Sequence, residues 1–181
     1  MPFDKKINAE DFEAAAMPHL NELYRTAVRL VANRTEAEDL VQETYMQAWK
    51  SFHKFRLGTN CRAWMFKILL NKVKHQRTKW LRLVRRSEEL PAVLTYEPPI
   101  PEHLSDETML TALEKIPLCY REAVLLADVE EFSYKEVGFI LKVPVGTVMS
   151  RLSRGRKLLR AELAGVAEGY GIKNMREGNG G

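Results

Sequence analysis

The sequence of 181 residues contains only two cysteines, Cys61 and Cys119, which stand far apart and without metal-ligand spacing. This scarcity argues against a disulfide framework and against a zinc ribbon. Both thiols are expected to be free in a reducing cytoplasm. The four histidines are scattered in the same way. We therefore expect neither a bound metal nor another cofactor.

The sequence also lacks an apolar run close to the ~20 residues that a membrane-spanning helix requires. Its beginning, MPFDKKINAEDFE, is polar and has no apolar signal-peptide core. We expect a cytoplasmic protein without membrane insertion. A nucleophile elbow and a phosphate-binding loop are missing too, so no catalytic residues are predicted.

Acidic residues are absent from two long segments of the chain. Residues 54–86 contain eleven lysines and arginines and no acidic residue, and residues 142–160 contain six and none. Between them, residues 87–116 contain seven acidic residues and a single lysine. The formal net charge of +4 conceals this alternation. Basic blocks of this kind favour acidic partners such as nucleic acid.

Prolines and acidic residues share the middle of the chain, where LPAVLTYEPPIPEHL cannot form one regular helix. The predicted fold class is all-α, with two small helical domains joined by an extended, acidic, proline-containing linker. The first domain is predicted at residues 1–86, the flexible linker at 87–107 and the second domain at 108–164. A glycine-rich, disordered tail is predicted at 165–181.

The first domain is predicted to contain amphipathic helices. Thr35 and Glu38 fit a capping box at the start of one of them, and the buried stripe of that helix is expected to include Trp49. Asp39, Gln42 and Glu43 fall on its opposite, acidic-polar face. The pattern alone favours ordinary solvation for this face and leaves a binding surface as the alternative.

A long helix mixing aromatic and basic residues is predicted after a loop at residues 57–60. Gly58 interrupts the helical pattern, and Thr59 or Asn60 can cap the next helix. Aromatic rings beside cations suit single-stranded nucleic acid, because bases stack on the rings and cations hold phosphates. For Trp64 taken alone, the pattern favours a place in the core.

The segment SYKEVGFILKVPVGTVMSRLSRGRKLLR predicts a helix-turn-helix. Ser133 and Glu136 form a capping box, Gly138 permits close helix packing, and Pro144 opens the next helix. That helix is expected to bury one stripe, which contains Val148, Leu152, Gly155 and Leu159. Its opposite, basic face would enter the DNA major groove. On that face an arginine can donate two hydrogen bonds to guanine. Lys157 and Arg160, further along the helix, are expected to contact phosphates.

Three segments in order resemble the extracytoplasmic-function (group IV) class of bacterial RNA polymerase sigma factors. AEDLVQETYMQAW resembles the core-polymerase-binding helix of region 2, and SFHKFRLGTNCRAWMFKILLNKVK resembles its −10 element segment. The helix-turn-helix resembles region 4, which reads the −35 element. ETY, SFHKFR-GTN, LADVEEF and GTVMSRL-RGR resemble the subgroup that responds to thiol-oxidative stress.

The resemblance implies a promoter-specificity factor that binds core RNA polymerase at its clamp helices and flap and binds promoter DNA. The clamp contacts would be Asp39, Gln42 and Glu43. The −10 element would bind Phe55, Arg56, Gly58, Thr59, Asn60, Cys61, Lys67, Asn71 and Lys74. The −35 element would bind Lys135, Thr147, Met149, Ser150, Ser153, Arg154, Arg156 and Lys157.

The resemblance also implies regulation and location. The linker would run through the RNA path of the polymerase, and an anti-sigma factor would hold the protein inactive in the absence of stress. In the thiol-stress subgroup that partner is typically a zinc-binding redox switch. The protein would join the nucleoid when it is bound to polymerase.

The sequence leaves two alternative functions to consider. A conventional helix-turn-helix regulator with an N-terminal sensor domain would bind duplex DNA without polymerase, but the basic-aromatic segment at residues 54–86 argues against it. An enzyme with an accessory DNA-binding domain is disfavoured by the lack of catalytic motifs.

Overall fold

The computed structural model describes residues 9–86 and 104–169, with side chains from 9 to 79 and from 108 to 164. Within these ranges the chain forms helices and turns and no strand, which confirms the all-α prediction. The helices are α1 (Ala9–Ala16), α2 (Leu20–Val31), α3 (Arg34–Ser51), α4 (Cys61–Arg86), α5 (Leu104–Glu114), α6 (Leu118–Val124), α7 (Tyr134–Leu141) and α8 (Val145–Gly169). A π-helical turn, Leu125–Val129, follows α6.

Helices α1–α4 form the first half of the molecule around a core to which α2, α3 and α4 contribute. Leu23, Leu40 and Phe66 are fully buried there. Trp49 was predicted in the buried stripe of α3, and this prediction was wrong. Its side chain is 43% exposed and touches Phe12 at the rim, with ring centroids 5.2 Å apart.

The predicted start of α3 was also wrong. The helix begins at Arg34, because the Asn33 side chain accepts a hydrogen bond of 3.0 Å from the Glu36 amide. Asn33 has the extended backbone that an N-cap residue needs. Thr35 therefore lies inside the first turn, where it cannot serve as the cap.

Helices α5–α8 form the second half, and the predicted capping box of α7 is confirmed. The Ser133 side chain accepts from the Glu136 amide, and the Glu136 carboxylate accepts from the Ser133 amide at 2.9 Å. Two glycines allow close approach. A Cβ on Gly138 would lie 2.9 Å from the Val143 carbonyl oxygen, and one on Gly155 would lie 2.8 Å from Val124.

Two predicted boundaries differ from the structure. Helix α5 begins at Leu104, so residues 104–107 of the predicted linker are helical. Helix α8 continues to Gly169, so the predicted tail begins inside a helix. The prolines of the middle segment all precede α5. The segment SDETMLTALE contains no proline, so nothing prevents it from forming a helix. The rest of the predicted linker and residues 170–181 lie outside the described residues.

The two halves pack against each other, and their buried residues form one continuous core. Helix α4 lies against α7, and α2 lies against α5 and α6. Phe66 of α4 meets Phe132 edge to face, with ring centroids 5.1 Å apart. Across the described segments, no helix combines the length and apolarity needed to cross a membrane.

Candidate nucleic-acid interface

The acidic-polar face predicted on α3 is present and exposed. Asp39, Gln42 and Glu43 point to solvent on one side of the helix, and Met46, one turn further on, is 58% exposed. Glu43 lies 3.6 Å from Lys72 of α4, a surface pair whose effect on stability is small. An exposed methionine beside carboxylates offers a partner both apolar area and charge.

The loop before α4 is held by its own hydrogen bonds. Gly58 has a φ of 87°, a conformation that favours glycine. The Thr59 hydroxyl donates to the Arg56 carbonyl at 2.7 Å. Asn60 caps α4, because its side-chain oxygen accepts from the Ala63 amide at 2.9 Å. Arg56, Thr59 and Asn60 are thereby fixed at the surface.

Aromatic side chains form a wall beside this loop. The Phe55 ring lies 4.9 Å from that of Trp64, and it stacks on Phe52 at 5.6 Å. Trp64 is half-buried, so it belongs to the edge of the core and still faces a cleft. The cleft has a volume of about 410 Å³ and is lined by Lys54, Phe55, Arg56, Thr59, Asn60, Ala63, Trp64, Lys135, Glu136 and Phe139.

Four of the predicted −10 residues share one face of α4. Asn60 at its N-terminus is followed by Lys67, Asn71 and Lys74, at offsets of 7, 11 and 14 residues, which at 100° per residue superimpose closely. Asn71 is exposed. The Lys67 ammonium lies 3.7 Å from the centroid of the Phe139 ring. The Lys74 ammonium lies 3.5 Å from a carboxylate oxygen of Glu122.

The outer face of α8 carries most of the predicted −35 residues in one exposed row. That row contains Met149, Ser150, Ser153, Arg154 and Lys157. The opposite side is buried, with Val148 and Leu152 almost inaccessible to solvent. Ser150 donates its hydroxyl to the Thr147 carbonyl at 3.0 Å. Thr147 is itself only partly exposed, in the first turn of α8.

Two of the predicted −35 residues stand apart from this row. The Arg156 guanidinium makes two hydrogen bonds to the Asp128 carboxylate, at 2.6 and 2.9 Å. This pairing directs Arg156 toward the π-helical turn and away from the exposed face. Lys135 lies at the start of α7 and lines the cleft beside Arg56. The structure thus places Lys135 next to the predicted −10 residues.

Burial changes the titration of two predicted −10 residues. Desolvation, followed by the charge of Lys142, lowers the pKa of Lys67. Burial raises the pKa of the Cys61 thiol, so less of the reactive thiolate forms there. Cys61 and Cys119 are both free and half-buried. In the described part of the chain, no group of three or more histidine, cysteine or acidic residues could hold a metal ion.

Sequence reasoning missed the residues that join the two halves. Arg62 of α4 donates to the Glu130 carboxylate and to the Glu130 carbonyl, each at 2.9 Å. Thr26 of α2 donates to the same carboxylate at 2.7 Å. Asn60 donates its side-chain amide to Glu136 at 2.6 Å. These partners are 68 to 104 positions apart in the chain, where no periodic pattern connects them.

Two family models match separate parts of the chain. The model of sigma-70 region 2 matches residues 16–86, and the model of sigma-70 region 4 matches residues 106–159. The first contains the α3 face, the loop and the row on α4. The second contains the helix-turn-helix formed by α7 and α8.

Curated relatives cover nearly the whole chain. The ECF RNA polymerase sigma factor SigE of Mycolicibacterium smegmatis is 36% identical over 188 residues, which cover 90% of this chain and 70% of that protein. The ECF RNA polymerase sigma factor EcfG of Rhodopseudomonas palustris is 36% identical over 172 residues, covering 92% of this chain and 93% of that protein.

Solved structures share the fold. The chain is similar to the sigma factor RpoE of Bartonella quintana, solved with the anti-sigma factor NepR. The TM-score is 0.76 at 33% identity, and the match covers 86% of this chain and 98% of that one. CnrH, solved with the cytosolic domain of CnrY, gives a TM-score of 0.64 at 25% identity, covering 87% and 90%.

Proposed function

Because the chain belongs to the extracytoplasmic-function family of RNA polymerase sigma factors, it directs core polymerase to promoters, and we propose which surfaces perform each part of that task. The exposed face of α3 binds core polymerase. The loop before α4, together with the row on α4, captures the −10 element as a single strand. The exposed row on α8 reads the −35 element as duplex DNA.

The observation that carries this proposal is the aromatic wall of Phe55 and Trp64 beside the basic loop. A base extruded from the duplex loses its stacking, which costs a few kcal/mol. An aromatic wall restores stacking, and Lys54 and Arg56 at the cleft supply charge for the neighbouring phosphates. Asn71 is an exposed amide on the same face of α4, and its donor and acceptor atoms suit a base edge.

The row on α8 suits a different form of DNA. Its small side chains, Ser150 and Ser153, allow a helix to approach base edges in the major groove, and Arg154 can donate two hydrogen bonds to guanine. Lys157 lies one turn further along, where it suits a phosphate. Arg156 is held by Asp128, so its contribution is to fix α8 on the π-helical turn.

Control by an anti-sigma factor is part of the proposal, because RpoE, which shares this fold at 33% identity, was solved with the anti-sigma factor NepR. The partner would cover the α3 face and the DNA-binding surfaces. The four motifs that resemble the thiol-oxidative-stress subgroup support oxidative stress as the inducing signal. Since the Cys61 and Cys119 thiols are half-buried and burial raises the pKa of Cys61, the redox chemistry would lie on the partner, which a zinc-binding switch could supply.

Two substitutions test the division of labour in the complex with core polymerase. We expect Asn71→Ala to weaken binding of a single-stranded −10 oligonucleotide and to leave binding of a −35 duplex unchanged. We expect Arg154→Ala to do the opposite, at a cost of about 1–3 kcal/mol for one base contact. Fluorescence anisotropy with both probes measures the two effects on the same preparation.

Lys157→Ala provides the matched comparison for Arg154→Ala on the same face of α8. Because Lys157 is assigned to a phosphate, its removal should weaken all −35 variants about equally and reduce the slope of log affinity against log salt by about 1. Arg154→Ala should instead relax the preference at one position of the element. Equal losses on both probes for Asn71→Ala, or a uniform loss across −35 variants for Arg154→Ala, would contradict the assignment.

A further inference from the structure

In the exposed row on α8, Met149 is the apolar side chain among hydroxyls and cations. It is 55% exposed, while the other members of the row are serine, arginine and lysine. The stripe that packs α8 onto the fold lies elsewhere on the helix, at Val148 and Leu152. Met149 therefore contributes little to the core, and its side chain is available to whatever binds the row.

A second apolar side chain extends this exposed area toward the start of the helix. Val145 lies four residues before Met149, hence on nearly the same side of α8, and is 40% exposed. Both belong to the first two turns of α8, which begins at Val145. In a helix-turn-helix, the N-terminal part of the second helix is the part that contacts base edges. The apolar pair is thus placed where bases are read.

Small side chains surround the pair, so the helix can approach the groove closely here. Gly146 is exposed, and a Cβ added to it would meet no atom within 4 Å. Ser153 lies one turn beyond Met149. The Ser150 hydroxyl donates to the Thr147 carbonyl at 3.0 Å, which holds it close to the helix. A methionine side chain, which is unbranched with three rotatable bonds, can therefore reach past its neighbours.

An apolar side chain can recognise one particular group in the major groove. Each base pair presents hydrogen-bond donors and acceptors there, and the thymine C5-methyl is the apolar group among them. A thioether that packs against this methyl removes apolar surface of both partners from water. Against a G·C pair the same thioether would cover amino or carbonyl groups without satisfying them, which costs free energy. Met149 therefore favours an A·T pair over a G·C pair.

The position of Met149 relative to Arg154 predicts where that thymine lies. The two residues are five positions apart, which is about 140° around the helix and about 7.5 Å along it. They stand on opposite flanks of the row, with Ser150 and Ser153 between them. The axial distance corresponds to about two base steps of ~3.4 Å. One −35 element can therefore engage both side chains.

We propose that Met149, supported by Val145, is a specificity-determining residue that contacts the methyl group of a thymine within about three base pairs of the guanine contacted by Arg154. The inference rests on the proposed function of the row on α8. It adds the base that one side chain selects and the chemical group through which the selection occurs. Arg154 and Met149 then divide the recognition between two hydrogen bonds on one flank and an apolar contact on the other.

The test removes one methyl group from the DNA and one side chain from the protein. Duplexes carry the −35 element of a promoter mapped by transcription with this chain, and each thymine of either strand is replaced in turn by deoxyuridine, which lacks only the C5-methyl. Fluorescence anisotropy measures the affinity of each duplex for the chain in complex with core polymerase. The parent is compared with Met149→Ala and Met149→Leu. Met109→Ala is the matched control, because Met109 is 38% exposed on α5, outside the row.

We expect deoxyuridine at one thymine to weaken binding of the parent about threefold to fourfold, the value of one buried methyl group, and to leave the affinity of Met149→Ala unchanged. Met149→Leu should keep most of the effect, because leucine preserves the apolar contact, and Met109→Ala should match the parent. A parent whose affinity is the same at every deoxyuridine position would overturn the proposal. Equal losses for the parent and Met149→Ala at every thymine would overturn it too.

Comparison with Arg154→Ala separates this proposal from the one beneath it. If Arg154→Ala relaxes the preference at one position but the parent tolerates deoxyuridine everywhere, thymine recognition alone is overturned. If the parent complex binds the −35 duplex no better than a scrambled duplex, the assignment of the α8 row falls as well. If Met149→Ala weakens binding of core polymerase and keeps the deoxyuridine effect, Met149 is a protein contact and the proposal is overturned.

Discussion

Asn60 uses the two ends of its side-chain amide for different purposes. Its oxygen caps α4 by accepting from the Ala63 amide, and its nitrogen donates to Glu136 of α7. The sequence pattern predicted a cap at Thr59 or Asn60, just before a helical run, and the structure selects Asn60. The pattern could not predict the second bond, because Glu136 is 76 residues away. One residue thus belongs both to local structure and to the contact between the halves.

Gly138 is a residue at which a single added methyl group should lower stability. A Cβ there would lie 2.9 Å from the Val143 carbonyl oxygen, which is backbone and cannot rotate away. We expect Gly138→Ala to lower the free energy of unfolding by about 1–3 kcal/mol through overpacking. Urea unfolding followed by circular dichroism measures the change.

Gly146→Ala is the matched control, since a Cβ there has no atom within 4 Å. It should leave stability unchanged or slightly improved, because alanine favours helix over glycine. Equal losses at Gly138 and Gly146 would show that the close approach of α7 to the following turn is not the cause.

Tyr45 should make stability depend on pH in the alkaline range. Its hydroxyl donates to the Ala16 carbonyl at 2.8 Å. Burial, followed by the charges of Cys61 and Glu22, raises its pKa to about 12. The unfolded value is about 10, so the stability contributed by the neutral phenol is fully present below pH ~10 and is lost as the pH rises through ~12.

Tyr45→Phe tests this dependence. The variant should lose about 0.5–1.5 kcal/mol at pH 8, the value of a typical hydrogen bond, and the difference from the parent should shrink as the pH rises above ~10. Chemical denaturation at a series of pH values measures it. A difference that stays constant up to pH ~12 would contradict the role of the phenol.

At the scale of elements, α3 is the helix whose function the sequence pattern alone left open. Asp39, Gln42 and Glu43 form an exposed face, as solvation and partner binding would both require. We expect reversal of both charges, Asp39→Lys with Glu43→Lys, to weaken binding to core polymerase at least about tenfold, because charge reversal at an interface opposes association.

The control reverses two exposed acids elsewhere, Glu13→Lys with Glu131→Lys. It changes net charge equally and should leave the affinity for core polymerase within about twofold, since surface charges outside an interface act only through the screened overall field. Biolayer interferometry with immobilised core polymerase compares the two variants. Similar losses in both would remove α3 from the interface.

Elements with strong local signals could be predicted from the sequence, and rim residues could not. The Ser133–Glu136 capping box and the stripe of α8 follow from spacing alone. The structure confirms the box and buries Val148, Leu152 and Gly155, whereas Leu159 is only partly buried. Trp49 carries an apolar signal but lies at the edge of the helical stripe. Its exposure depends on how far α1 extends over α3, which periodicity does not report. Helix α5 began inside the predicted linker because the acidic run suggested a longer linker than the prolines required.

At the scale of the whole molecule, the sequence indicated two domains but not their contact. The halves meet through Arg62, Thr26 and Glu130, side chains that resemble ordinary surface residues in any local window. Long-range pairing of this kind has no periodic signature. The residues of the candidate site could therefore be proposed from the sequence. The contacts that α6 and α7 make with some of them could not.

The most direct test of the central assignment is transcription in vitro from a genomic fragment library with the purified chain and sigma-free core polymerase. Start sites mapped by sequencing should share two upstream elements at fixed spacing, near −35 and −10, and core polymerase alone should not produce them. Failure of the folded chain to yield such starts, while it binds duplex DNA without polymerase, would contradict the assignment and favour a conventional helix-turn-helix regulator.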